Sequence, residues 1–526
     1  MDHNLPQNYS TAERHTDVSL GLGDAVVLTL MVGLYLFASW FRSKGNIFWS
    51  DEIMGWLVLR QDTWSNLIHT WWAGIDSSGI FFYLFGRPWL ALFGASELSI
   101  RLFSGFGMAI AFVLTWLTAR RYIRVEIVAA VLPIVFFLNR TALWQLANGR
   151  TYGVMMTAIA LNSYAMIRTS PEDPASGGGW TLALTSLASV LLVGSHILGI
   201  LYWGVFLAGF LVRDLWFRVF RPRLYLTQLS GLAILLLSWR NIASTAALGK
   251  PTFWTPRPTI RDLQLAVGDY SLKTLDLLLV ALLAFAVTIL VVRWRGRRES
   301  VLLRSRASFY CLLGVFPALI LVMFVVSRVT TSIFFDRYLL PILIGDALLI
   351  CEFASRVAIM ARLRRPAVVA LACLAGLAFV GIYRDDLRFA AHYPQTDYTP
   401  SLLAKLPPGE PIVLTDDGAF VEMVFYHNKD RQFLNPIDWA IQLDPDFGPG
   451  GASGLHEMEN WKATDLYADH IQPTQQILQG NRRFLVVSDP DHTLWFRRYI
   501  AMNAKYREVE LPPSPGGLRI WQVEVR

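Results

Sequence analysis

Between residues 24 and 383 the chain is dominated by apolar runs of roughly 17 to 23 residues, each long enough to cross a bilayer's hydrocarbon core as a helix. Backbone polar groups have no water to bond there, so such runs fold as spanning helices. The expected spans are 24–41, 99–119, 126–142, 152–168, 180–195, 197–213, 224–242, 271–292, 308–327, 337–355 and 367–383, about eleven in all. With 54% of its 526 residues hydrophobic and only 17% charged, the chain reads as a polytopic α-helical membrane protein. Its formal charge of +7 comes from short arginine clusters between apolar runs, a pattern that suits headgroups and topology and leaves nucleic acid out as a partner.

Those clusters also set the orientation. Arg120, Arg121 and Arg124, then Arg213, Arg218, Arg221 and Arg223, then the arginines from 293 to 306, then Arg356, Arg362, Arg364 and Arg365 fall on one side of an alternating set of spans. Arginine-rich short loops stay in the cytoplasm. The segment 1–23 is then cytoplasmic, 24–383 forms a transmembrane module whose first outer loop is 42–98, and 384–526 lies outside the membrane on the far side. The first apolar run has no small-residue cleavage site after it and reads as a retained span. The multi-pass inner (plasma) membrane of a bacterium is the expected location.

The first outer loop carries Trp49, Trp56, Trp64, Trp71, Trp72 and Trp89, which suits interfacial helices lying on the membrane. Beyond 384, "GEPIVLTDD" and "RRFLVVSDPD" each set a β-branched run before an acidic turn, the signature of strands in a small α/β domain. Cys311, Cys351 and Cys373 lie in apolar segments without metal-ligand spacing and read as core residues. No internal repeat is visible.

Within "NIFWSDEIMGW", Asp51 and Glu52 follow the first span by about ten residues. Adjacent helical residues point roughly 100° apart, so one carboxylate faces a cleft while the other braces the scaffold. A helix start explains the pair as well, with Ser50 or Asp51 capping and Glu52 complementing the dipole. Both readings can hold together.

The ordered motifs add a resemblance. "SGIFFYLFGRPWLALFGASELSIRLF", "ANGRTYGVMM", "GSHILG" and "FFDRYLLPIL", following the acidic pair, resemble the GT-C superfamily of polyprenyl-phosphate-sugar-dependent glycosyltransferases. Within it they resemble dolichyl-phosphate-mannose protein mannosyltransferases and lipid A aminoarabinose transferase relatives. The resemblance implies a GT-C fold and transfer, with inversion, of a sugar from a polyprenyl-phosphate donor to an extracytoplasmic acceptor. Asp51 is then the base, with Glu52 as helper or structural partner. Arg150 and Arg337 are then candidates to hold the lipid phosphate, or snorkel to headgroups, and Tyr152, His196 and Tyr338 line the substrate site, with an aromatic-belt role for Tyr152 and a structural one for His196 as the alternatives. The chemistry is sufficient: a sugar phosphate already has its leaving group, so only a base and positive charge are needed.

The sequence departs from that pattern at "IDSSGIFFYL", where Asp76 stands in place of a basic-proline element and is a polar contact or an ordinary turn residue. Arg101 is expected to pair with Glu97 one helical turn away. "KPTFWTPRP" is a lid or a stiffened loop. No compact ligand cluster marks a metal, and a carboxylate beside a phosphate works with or without a divalent cation. The alternatives are a transporter of lipid-linked sugar or glycan, and an inactive relative that binds lipid-linked sugar.

Overall fold

The computed structural model describes residues 20–171, 173, 176–248, 255–265, 306–360, 364–392, 396–444, 446, 452–488, 495–512 and 518–526. Among them, five helices are long and apolar enough to cross a membrane: Leu22–Ser43, Glu97–Arg120, Gly199–Trp216, Ala307–Val329 and Arg365–His392. A sixth span results if Val125–Leu138 and Arg140–Leu146, bent by 78°, are taken together. The bend sits at Asn139, whose carboxamide caps the second piece by accepting from the Ala142 N–H at 2.8 Å. Further helices, Tyr152–Arg168, Gly179–Ser195, Gly231–Leu248 and Ile342–Met360, complete the bundle. The expected span 271–292 lies outside the described residues, and the other expected spans fall on described helices.

Two boundaries differ from expectation. Residues 337–341 do not open a helix: Asp336–Tyr338 is a 3₁₀ turn, Pro341 follows, and the α-helix starts at Ile342. The last long helix continues past 383 to His392, where Asp386 pairs with Arg42 of the first helix.

Charge separates the two ends of the bundle. At one end, Arg120 pairs with Asp24 at 2.6 Å, Arg221 with Asp214 at 2.6 Å and Arg306 with Glu352 at 2.7 Å. The opposite end carries the first loop, which folds into the helices Ser50–Leu59, Trp64–Trp72 and Ile80–Phe93.

What fixes that loop on the bundle is a buried ion pair. Arg101, fully enclosed in the Glu97–Arg120 helix, grips Glu52 with Nε at 2.7 Å and Nη2 at 2.5 Å, and donates to the carbonyls of Asn46 and Ile47 at 2.8 and 2.6 Å. The partner is therefore Glu52 rather than the expected Glu97, which instead accepts from the Tyr426 hydroxyl at 2.6 Å. A planar guanidinium fork meeting a carboxylate on two atoms leaves neither charge uncompensated.

The C-terminal domain has a six-stranded sheet in the order β3-β2-β1-β4-β6-β5. The strands are β1 Ile412–Leu414, β2 Phe433–Ile437, β3 Ile471–Pro473, β4 Arg483–Ser488, β5 Tyr506–Glu510 and β6 Arg519–Val525. β3, β2, β1 and β4 run parallel, and β6 and β5 are antiparallel additions. The chain order reverses between β1 and β4, and the helix Asp417–His427 that leaves β1 there packs on the start of the Ser50–Leu59 helix. Glu422 accepts the Ser50 N–H at 3.1 Å and the Tyr426 hydroxyl accepts the Phe48 N–H at 2.7 Å. One apolar cluster runs from Phe48, Ile53 and Trp71 into Phe420, Val424 and Trp461, so the domain is continuous with the loop beneath it.

Two outcomes follow from this packing. Arg101→Met strands the Glu52 charge and is expected to cost about 3–5 kcal/mol, read as a lowered melting temperature in detergent, with Glu52→Gln on the same chain recovering part of it. At the domain contact, burial and then Asp416 push Asp417 up to about 7, and burial pushes Glu422 up to about 7. A carboxyl raised in the folded state stabilises it below the ordinary carboxylate range, near 4, and loses that contribution as pH rises towards 7. The melting temperature should therefore fall between pH 5 and pH 8, and Asp417→Asn or Glu422→Gln should shrink the fall.

Candidate active site

The Ser50–Leu59 helix starts at the rim of the bundle with Trp49 in extended backbone as its N-cap, so neither Ser50 nor Asp51 occupies that position. Glu52, the third residue in, reaches back to the Trp49 N–H at 3.4 Å, half of a capping box. It also accepts the Gly149 N–H at 2.6 Å, beside its pair with Arg101. Every acceptor site on Glu52 is thus spent on scaffold, and its geometry is that of a structural partner. A Cβ on Gly149 would lie 2.9 Å from Ile100 and 3.2 Å from the Glu52 carboxylate, an approach that only glycine permits. The contact places the next residue, Arg150.

Asp51, rotated away from Glu52, points into a cleft. Its Oδ2 lies 3.0 Å from Arg337 Nη1 and 3.9 Å from Arg150 Nη2. The Asp51 side chain is 22% exposed, whereas those of Glu52 and Asp76 are 1% exposed. Asp51 is the carboxylate of this group that a substrate can reach.

Arg150 is largely committed elsewhere. Its Nη1 donates to the Asp51 carbonyl at 2.6 Å and to Asp76 Oδ1 at 2.5 Å, and Nη2 meets Ser77 Oγ at 3.4 Å. Asp76 takes the Tyr83 hydroxyl on its other oxygen at 2.5 Å, and Asn241 holds the Asp76 carbonyl at 3.2 Å. The departure at Asp76 thus sits at the centre of the site, as the counter-ion of Arg150. Tyr83 and Asn241 were not legible as site residues, because each looks like an ordinary residue of an apolar helix.

Arg337 is less enclosed. It stands on the 3₁₀ turn, with Trp49, Phe335 and Tyr338 rings 5.8, 5.2 and 5.5 Å from its guanidinium carbon. Aromatic faces hold a cation in place without spending its hydrogen bonds. Tyr338 lies 5.4 Å from the His196 ring, which lies 5.9 Å from Tyr152. The seven predicted residues Asp51, Asp76, Arg150, Tyr152, His196, Arg337 and Tyr338 are therefore brought together, and Glu52 backs them from behind.

The C-terminal domain covers this group. Glu457, on the Ala452–Ala463 helix, is pushed well above the carboxylate range by burial and then by Asp417, Asp51 and Asp76. The cleft thus has guanidiniums in its floor and carboxyl groups in its roof. The acids of "TDDGAF" divide their work: Asp416 caps its helix at the Ala419 N–H, 2.7 Å away, and Asp417 accepts from Asn435 at 3.2 Å. Asp489, Asp491 and residues 250–254 of the lid candidate lie outside the described residues, while Pro256 and Pro258 are held by Ser332 and Arg328 at 2.6 and 3.2 Å. Among the described residues, no group of three or more His, Cys, Asp or Glu could hold a metal ion.

No family model matches the sequence, and no curated protein matches it. Solved structures do match. The chain is similar to ArnT from Cupriavidus metallidurans bound to undecaprenyl phosphate, with a TM-score of 0.56 and 15% identity, over 95% of this chain and 98% of that one. The apo state of the same protein matches with a TM-score of 0.56 and 13% identity over the same shares. The likeness runs through both the helical bundle and the C-terminal domain, and this chain has the fold of ArnT.

Proposed function

We propose that the protein is a membrane glycosyltransferase that moves a sugar, with inversion, from a polyprenyl-phosphate donor to a hydroxyl of an extracytoplasmic acceptor. The observation that carries this reading is the contact between Asp51, the reachable carboxylate of the floor, and Arg337, at 3.0 Å and with Arg150 beside it. The undecaprenyl phosphate bound to ArnT supports the donor class.

Each group has one task. Arg337 exchanges Asp51 for a phosphate oxygen when donor enters, since a guanidinium suits either partner. Asp51, released, takes the proton of the acceptor hydroxyl. The acceptor oxygen forms its bond to the anomeric carbon from the face opposite the phosphate as the carbon–oxygen bond to the phosphate breaks. The bonding pair leaves with the polyprenyl phosphate, whose added negative charge Arg337 stabilises. Arg150, paired to Asp76 and bonded to the Asp51 carbonyl, keeps the base in place.

A second reading, translocation of a lipid-linked sugar or glycan, is favoured by one observation. Asp346 lies in the Ile342–Met360 helix, 9% exposed, with Oδ1 bonded to no group among the described residues. Acids inside membrane helices often belong to transport pathways.

Proteoliposomes supplied with a panel of radiolabelled polyprenyl-phosphate sugars and a cell-envelope acceptor extract separate the two. Asp51→Asn should lower transfer by about 10²–10⁴-fold and Arg337→Ala by about 10²–10³-fold, with Asp346→Asn close to native. Transfer that survives Asp51→Asn would remove the base assignment. Donor movement across the bilayer without transfer, lost in Asp346→Asn, would establish the second reading.

A further inference from the structure

His196 closes the Gly179–Ser195 helix in extended backbone, φ −155° and ψ 155°, and forms an isolated antiparallel bridge with Ser78. The neighbouring Ile197 N–H donates to the Ser77 carbonyl at 3.3 Å, and a Cβ on Gly79 would sit 2.1 Å from the Gly194 carbonyl oxygen. The turn bearing His196 is therefore packed directly on the turn bearing Asp76.

The imidazole is 1% exposed between the rings of Tyr152 and Tyr338. Its Nδ1 accepts the Leu198 N–H at 3.1 Å, which puts the ring proton on Nε2. That Nε2 has no hydrogen-bond partner among the described residues. Leaving a buried donor unsatisfied is costly, and packing between two aromatic rings needs no nitrogen, since a phenyl ring would fill the space. Burial first, and then the Arg150 and Arg337 guanidiniums, disfavour a second proton on the ring, with Asp76 acting the other way. The group is a neutral N–H donor at a fixed place.

The carboxylates of this corner are already engaged, Asp51 by Arg337 and Asp76 by Arg150. The Asp76 carboxylate is taken by Arg150 and Tyr83. A sugar hydroxyl would bring a proton of its own that needs an acceptor, whereas a phosphate presents oxygens that only accept. A pocket of guanidinium N–H groups and one neutral N–H fits the second, and the uncharged donor adds a hydrogen bond without the desolvation of a third cation.

Resting on the donor reading above, we propose that His196 donates its Nε2–H to a phosphate oxygen of the polyprenyl-phosphate ligand and so fixes that phosphate against Arg337. The histidine acts as a neutral donor and takes no part in proton transfer.

The test is binding of undecaprenyl phosphate, and of undecaprenol as its uncharged counterpart, to the purified full-length protein in detergent by native mass spectrometry. Native protein is compared with His196→Phe, His196→Gln and Arg337→Ala, each checked for an unchanged melting profile. His196→Phe should weaken undecaprenyl phosphate about 5- to 30-fold and leave undecaprenol unaffected. His196→Gln, which keeps an N–H near the same place, should recover most of the loss. Native affinity in His196→Phe alongside weakened binding in Arg337→Ala overturns the histidine proposal and leaves the donor reading standing. Equal weakening of undecaprenol by His196→Phe shows a packing role and overturns it too. Native protein that binds undecaprenyl phosphate no better than undecaprenol overturns the donor reading and this proposal with it.

Discussion

The Arg101–Glu52 pair is where membrane bundle and first loop become one object. A spanning helix offers few anchors to an irregular loop, because its backbone groups are already bonded to each other. One guanidinium supplies the anchor here, collecting a carboxylate and two loop carbonyls. The carboxylate passes the constraint on through the Gly149 N–H, which sets Arg150, which in turn sets Asp76 and the Asp51 carbonyl. Two acids adjacent in sequence thus divide their labour by direction alone: one is spent on position, and its position makes the other available.

The distribution of charge has the same economy. Arginines at the far end of the bundle pair largely with acids of their own end, while the cleft holds two guanidiniums under a roof of carboxyl groups. Because the roof acids are raised by burial and by one another, the contact between the domain and the loop depends on protonation, whereas the floor is fixed by ion pairs. Rigidity below and titratable contact above suit the proposed transfer, in which a phosphate is held firmly while a second substrate enters.

Much of this arrangement was legible in the sequence, for identifiable reasons. Apolar runs have only one way to satisfy their backbone in a membrane, so most spans appear where hydrophobicity put them. The angular offset of neighbours on a helix separated Asp51 from Glu52 before any contact was known. Long-range partners were another matter. Glu97 stands one turn from Arg101 and was the natural local partner, yet Glu52, 49 positions away, holds it. Tyr83, Asn241 and Gly149 have no local signature, since their roles exist only where distant segments meet. Pro341 marked the end of a turn that hydrophobicity had assigned to a helix.

The docking of Glu422 and Tyr426 on residues 48–50 has a bearing on how the chain is made. Synthesis delivers the Asp51 turn early and its covering helix more than 360 residues later. Chains elongate at about 5–20 residues per second and fold largely in the order they emerge. The bundle can therefore be in place while the Asp51 cleft still lacks one wall. On the proposed function, competence is then acquired only once that helix has emerged, and a chain cut short before Asp417 would sit in the membrane assembled but idle.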